Sequence, residues 1–255
     1  MLTGPALILS AAFLVVSLGS PPPTAAQTPV LELDHVYVVV APGGAAAIQA
    51  LRRVGIIVDS FVARHDGQGT ASRGAFFDNA YLELLWVDSS VAVDSLHRVD
   101  HVDFLRAAAW RQSGASPFGI GLHFLTGTAS ALTVPARLDS APWLRPGTYY
   151  ILLRQPQESL AAEMFIMPAD RAVTSWLERF RSRRPDLFSH ALGGRRITGI
   201  IVRGSSHQRP RAADLDTRLV RFEEASSPAL VIEFDGGHFG QTWDLRPALP
   251  LILRR

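Results

Sequence analysis

Leu33-Asp34-His35-Val36 and Tyr81-Leu82-Glu83-Leu84-Leu85 each set ionisable side chains inside an otherwise apolar strand. Such groups are costly to bury without a partner, so each stretch asks for one. Between them, the Val-rich run Leu33–Val40 breaks at Pro42-Gly43-Gly44, and the Ala-rich stretch Ala45–Arg53 reads as a helix closed by Gly55. Ile56–Val62 reads as a second strand. The polar, Gly-containing loop Arg64–Ser72 then leads to a strand at Arg73–Asp78, and Asn79-Ala80 turns the chain into Tyr81–Val87. Residues 31–88 thus run strand, helix, strand, strand, strand.

The order recurs more loosely over residues 117–168. Phe118–Leu125 opens this second pass, a weak helix covers Ala129–Leu138, and Thr148–Leu153 and Ala161–Met167 read as strands. A helix at Asp170–Arg183 follows, and its basic end Arg179–Arg184 reads as a solvated face that complements the helix dipole. Residues 191–255 repeat the pattern again: strand Ile197–Arg203, helix Ala212–Arg221, strand Ala229–Phe234, a turn at Asp235-Gly236, and a strand region from Gln241 onward. Glu83, Glu163 and Glu233 each lie inside one apolar strand of the three passes. That agreement reads either as a duplicated unit or as chance similarity among buried strands.

The βαβββ order, with His35 on its first strand and Glu83 on its last, resembles the vicinal oxygen chelate superfamily and, within it, the glyoxalase-like domains. The resemblance implies an α+β fold in which repeated βαβββ modules form a curved mixed sheet around a cavity, with helices outside. In the metal-dependent members it resembles, ligands come from the first and last strands of both modules, and the metal polarises vicinal oxygens of the substrate. Carried onto this chain, the ligand set is His35, Glu83, Glu163 and His123, suited to Zn, Mn, Ni or Fe(II). Glu163 is then the carboxylate base that removes a proton beside a carbonyl. Lyase, isomerase and dioxygenase chemistry all fit such a site. The alternative is a metal-free binding protein on the same fold, like the bleomycin-resistance proteins, in which His35 and the glutamates are hydrogen-bonded structure.

One departure from the pattern weighs towards that alternative. Overlaying Phe118–Leu125 on Leu33–Val40 puts Ile120 opposite His35, with His123 three residues later on the other face by strand parity, so either a bulge corrects the register or the fourth ligand is absent. His238, in Gly236-Gly237-His238-Phe239-Gly240, is a weak substitute on a loop. Tyr37 shares the face of His35, and Tyr81 that of Glu83. Together with Arg73 and Phe77 they form the expected substrate pocket, Arg73 either holding an acidic group or pairing with Glu83.

Composition narrows the function classes. The 255 residues contain no cysteine, which excludes disulfides, thiolate metal sites and a Cys nucleophile. All 25 basic residues are arginine, so Schiff-base chemistry and a phosphate-loop lysine are excluded. The formal charge of +2 gives no reason to expect a nucleic-acid partner. No Gly-x-Ser-x-Gly elbow is present, and His97 and His101 lack the glutamate of a zinc-protease helix. The apolar run Ala6–Gly19, followed by Pro21-Pro22-Pro23 and small residues at Thr24 and Ala26, reads as a signal peptide over residues 1–26. An uncleaved N-terminal anchor is the other reading, since no Lys or Arg precedes the run. Residues 27–255 are then one periplasmic or secreted domain, monomeric or a homodimer, with a small-molecule ligand and no stable membrane insertion after cleavage.

Overall fold

The computed structural model describes residues 30–91, 103–153, 160–209, 215 and 219–255. The leader reading, His97 and His101 lie outside the described residues. The first half contains β1 (Val30–Val39), α1 (Ala45–Arg53), β2 (Ala63–His65), β3 (Thr70–Phe76) and β4 (Tyr81–Val87). After the short helices α2 (Phe104–Ala108) and α3 (Trp110–Ser113) come β5 (Phe118–Thr126), β6 (Arg137–Asp139), β7 (Tyr150–Leu152) and β8 (Glu163–Ile166). These strands form one curled eight-stranded mixed sheet in the order β2-β3-β4-β1-β5-β8-β7-β6. From the central β1/β5 pair outward, each half runs first, fourth, third, second strand.

Helix α4 (Leu177–Arg183) leads to a second sheet built from β9 (Ile197–Gly204), β10 (Val220–Glu224), β11 (Ala229–Phe234), β12 (Thr242–Asp244) and β13 (Leu251–Arg254). Its five strands are ordered β10-β9-β11-β13-β12. One continuous core joins the sheets: Val36, Val38, Leu82, Leu84, Ile120 and Met164 from the first, with Ile200, Val202, Leu230, Ile232 and Leu253 from the second. Asn79, at the β3–β4 turn, closes the seam by donating to the Ile197 carbonyl and accepting from the Ile197 amide, both at 2.9 Å. On the outer face, Arg203 pairs with Glu223 at 2.7 Å, and Glu233 is held by Arg221 at 2.8 Å and Arg254 at 3.5 Å. Glu233 therefore serves the sheet surface.

Helix α1 has the expected bounds. Ala47, Ile48, Ala50 and Leu51 make its buried stripe, and Arg52 and Arg53 occupy the last turn. Gly55 ends it at φ +83°, and a side chain there would come within 2.7 Å of the Leu192 backbone nitrogen. Only glycine meets both conditions.

Several elements differ from the expectations. Residues 56–62 form no strand, because their polar groups bond elsewhere: the Asp59 amide donates to the Gly74 carbonyl at 2.9 Å and the Ile57 amide to His190 Nδ1 at 3.0 Å. The helix expected at Ala129–Leu138 shrinks to a 3-10 turn at Ala129–Ala131, ahead of β-branched Thr133 and Val134 and of Pro135. The helix expected from Asp170 starts only at Leu177, after a separate 3-10 turn at Val173–Ser175. Val220 and Arg221, expected to end a helix, begin β10 in parallel with β9.

Phe77 is also relocated. It is 1% exposed, packed 4.8 Å from Phe234 and 4.6 Å from His190 by ring centroids, and so belongs to the core between the sheets. Phe77→Ala is expected to cost about 3–5 kcal/mol, the range for an aromatic ring deleted from a packed interior. Urea denaturation will check it.

Candidate ligand-binding cavity

The face of the curled sheet turned away from the second sheet encloses a cavity of ≈ 640 Å³. A β-bulge decides which side chains reach it. Leu33 pairs with Leu122 and His35 with Gly121, so Asp34 is the extra residue on β1. Glu32 lies on the cavity side before the bulge; His35, Tyr37 and Val39 lie on it afterwards. The bulge also lets two consecutive side chains meet: His35 Nδ1 donates to Asp34 Oδ1 at 2.8 Å. Asp34 Oδ2 accepts from the Val173 amide at 2.6 Å, so this carboxylate, 1% exposed, is bonded through both oxygens.

With Nδ1 engaged, His35 presents Nε2 to Glu83 Oε2, 3.9 Å away. The other Glu83 oxygen lies 3.6 Å from His65 Nε2, and His65 Nδ1 is 3.0 Å from the Thr70 hydroxyl. Tyr81 stacks on His35 at 4.6 Å between ring centroids. Burial opposes the charge on His35, but the Asp34 hydrogen bond, with the charges of Asp34 and Glu83, outweighs it and raises the imidazole above its ordinary pKa. Burial, with the Glu83 and Asp34 charges, raises the Tyr81 phenol, keeping it a neutral donor.

Glycine makes room for this arrangement. A Cβ on Gly119 would lie 2.0 Å from the Tyr37 ring, and one on Gly121 2.7 Å from His35. Both residues lie on the cavity side of β5, directly across from the side chains they admit. Through the parallel β5/β8 pair the same side continues into Glu163 and Phe165. Tyr150, on β7, has its phenol raised by burial and by Asp139 and Glu163, and it hydrogen-bonds Asp139.

Of the residues expected from sequence, His35, Tyr37, Tyr81, Glu83 and Glu163 converge on this cavity. His123, Arg73 and Phe77 do not line it. His123 is on the cavity side of β5 but two residues beyond Gly121, where Nδ1 lies 3.6 Å from Asp34 Oδ2 and Nε2 3.7 Å from Glu32 Oε2. Arg73 pairs with Leu84 across β3 and β4, which places it on the face opposite Glu83. His238 is exposed in the β11–β12 connection. Sequence reasoning missed His65, Trp143 and Tyr150, which all line the cavity. For Tyr150 a signal existed, since it alternates with Leu152 on β7; His65 and Trp143 come from segments that only the curl of the sheet brings close.

Among the described residues, no group of three or more His, Asp or Glu side chains is gathered to hold a metal ion. The ligand set of His35, Glu83, Glu163 and His123 is divided, with His123 on the Asp34 side and outside the cavity. Among those residues, too, no helix is long and apolar enough to cross a membrane. No protein-family model matches the chain, and no curated protein matches it. Among solved structures it is similar to a hypothetical protein from Staphylococcus aureus, at 12% identity and a TM-score of 0.48, over 88% of this chain and 98% of that one.

The raised His35 pKa has a definite sign. A group whose folded pKa exceeds its ordinary value of 6.5 contributes stability that is complete below that value and is lost as pH rises through the folded pKa. His35→Gln should therefore flatten the loss of thermal stability on the alkaline side of pH 6.5. Asp34→Asn removes the largest raising cause, so the His35 resonances, followed by NMR titration, should shift at lower pH than in the wild type.

Proposed function

We propose that this chain is an exported glyoxalase-like protein whose cavity binds a small oxygenated molecule with its own side chains. The observation that carries this reading is the convergence of His35, Glu83 and Glu163, from three separate strands, on one cavity with aromatic walls. Buried ionisable groups gathered in a concave site are the usual mark of a binding or catalytic centre. The outward order of strands from the β1/β5 pair, the same in both halves of the first sheet, supports the paired-module architecture that the glyoxalase-like resemblance implies. The apolar leader supports export to the periplasm or beyond.

Within this reading each polar group has a task. His35, held by Asp34 through Nδ1–H, turns Nε2 to the ligand, accepting from a hydroxyl when the ring is neutral and donating to an oxygen when it is protonated. Glu83 and Glu163 accept from hydroxyl or amine groups, and Glu163 is placed to take a proton beside a carbonyl if the ligand is also a substrate. The rings of Tyr37, Tyr81 and Phe165 shape the apolar remainder. A metal-dependent lyase, isomerase or dioxygenase is the second reading, favoured by the two imidazole Nε2 atoms flanking Glu83 at 3.6 and 3.9 Å.

Thermal-shift screening of diols, vicinal dicarbonyls and phenols tests the first reading. A ligand at about a hundred times its Kd should add about 2.7 kcal/mol of stability, an upward shift of several degrees. The His35→Ala, Glu83→Ala double variant should lose that shift. A shift retained in full by the double variant would remove these residues from the site. Elemental analysis of protein purified without chelator decides the second reading: near-stoichiometric metal, lost in the double variant, would displace the metal-free account.

A further inference from the structure

The cavity is acidic in a chain whose only fixed cations are arginines. Among the described residues no arginine lines it, although the sequence carries 25. Its carboxylates are Glu83 and Glu163 within, and Asp88 and Asp103 also lie along the lining. Glu83 is 13% exposed at its side chain, and the groups facing it are two imidazoles at 3.6 and 3.9 Å, both outside hydrogen-bond range. Even with both imidazoles charged, His35 is matched by Asp34 and His65 by Glu83, and Asp88 and Asp103 leave the cavity net negative without counting Glu163. Ser90 hydrogen bonds hold Asp88 below the usual carboxylate range, with a smaller contribution from the Arg64 charge, so Asp88 stays ionised at neutral pH.

The walls are aromatic on several sides. Trp143 and Tyr150 are parallel within 4°, with centroids 6.4 Å apart, and Tyr150 meets Phe165 edge-on at 6.2 Å. Tyr37 lies 6.0 Å from Phe104 and 6.4 Å from Phe165. Electron-rich ring faces attract cations and are indifferent to neutral groups of the same shape. A carboxylate deep in such a chamber adds a counter-charge where water is scarce, and carboxylates farther along the lining draw cations in. An anionic ligand meets the opposite conditions, with no arginine among the described residues to receive it and several carboxylates to pass.

We infer that the ligand of this cavity is an organic cation, an oxygenated aromatic or aliphatic amine whose ammonium group lies against Glu83 between the aromatic walls. This rests on the small-molecule reading above and adds the charge of the ligand. The polar ends divide accordingly: His35 Nε2 faces the ligand hydroxyl, and Glu83 faces the ammonium.

Three probes of nearly equal shape test the charge: tyramine, its neutral isostere 4-propylphenol, and the anion 3-(4-hydroxyphenyl)propanoate, each titrated calorimetrically into the full chain. Tyramine should bind at least about tenfold more tightly than 4-propylphenol at low salt, a preference that shrinks as salt is raised. The propanoate should bind most weakly. Glu83→Gln should erase most of the preference, weakening tyramine far more than it weakens 4-propylphenol. Asp103→Asn should reduce it several-fold, and it keeps the cap that Asp103 makes with the Arg106 amide, since asparagine accepts the same bond. If 4-propylphenol or the propanoate binds as tightly as tyramine, the cation inference is overturned and the small-molecule reading stands. If none of the three binds to well-folded protein, both fall.

Discussion

A carboxylate buried at the centre of a sheet has to be bonded through both oxygens, and Asp34 imposes that requirement on everything around it. The β-bulge that satisfies it gives β1 one residue more than β5 across the same span. One Asp34 oxygen takes the His35 ring nitrogen and the other the Val173 amide, which ties the centre of the first sheet to the segment leading into α4. Removing either partner would strand a buried charge, a loss of several kcal/mol in comparable cases. The bulge thus fixes the imidazole orientation, the tautomer and the change of side-chain parity in one local irregularity.

That parity change divides the labour of the first sheet. After the bulge, Val36 and Val38 point into the core shared with the second sheet, while His35 and Tyr37 point into the cavity. β5 answers with glycines across from both cavity-facing side chains, so Tyr37 and His35 lie over space that any Cβ would fill. The second sheet contributes indirectly. By burying the far face of the first sheet it supplies the apolar contact that lets the near face carry unsatisfied volume and ionisable groups, an allocation a single curled sheet with both faces in solvent could not sustain.

The sequence was most legible where a local pattern decides the outcome. Helix α1 is fixed by Gly44, Gly55 and a stripe of Ala, Ile and Leu, and its bounds agree with the reading residue for residue. The alternation along β1 and β4 paired His35 with Tyr37 and Glu83 with Tyr81 by face, and all four line the cavity. Arg73 and Phe77 failed for the complementary reason. Their strand face follows from the register of β3 against β4, where Gly74 and not Arg73 pairs with Glu83, and that register is set by the turn at Asn79. His123 sits two residues past Gly121 on β5, so it reaches Asp34 and Glu32 and stops short of the cavity. His65 and Trp143 had no pattern to reveal them: their place depends on the curl of an eight-stranded sheet.

Charge is segregated in this molecule more sharply than a formal total of +2 suggests. The arginines serve the outside, where Arg203, Arg221 and Arg254 cover the outer face of the second sheet and pair with Glu223 and Glu233. Arg181 and Arg195 close on Asp78 at the seam between the sheets. None of them reaches the cavity, where imidazole is the only cationic group among the described residues. An arginine keeps its charge at any accessible pH, whereas imidazole can give its charge up, so among the described residues the cavity holds its carboxylates without a permanent counter-ion. A cavity built this way leaves room for a positive charge to arrive with the ligand, and the aromatic rings around Glu83 decide how much of the surrounding molecule can come with it.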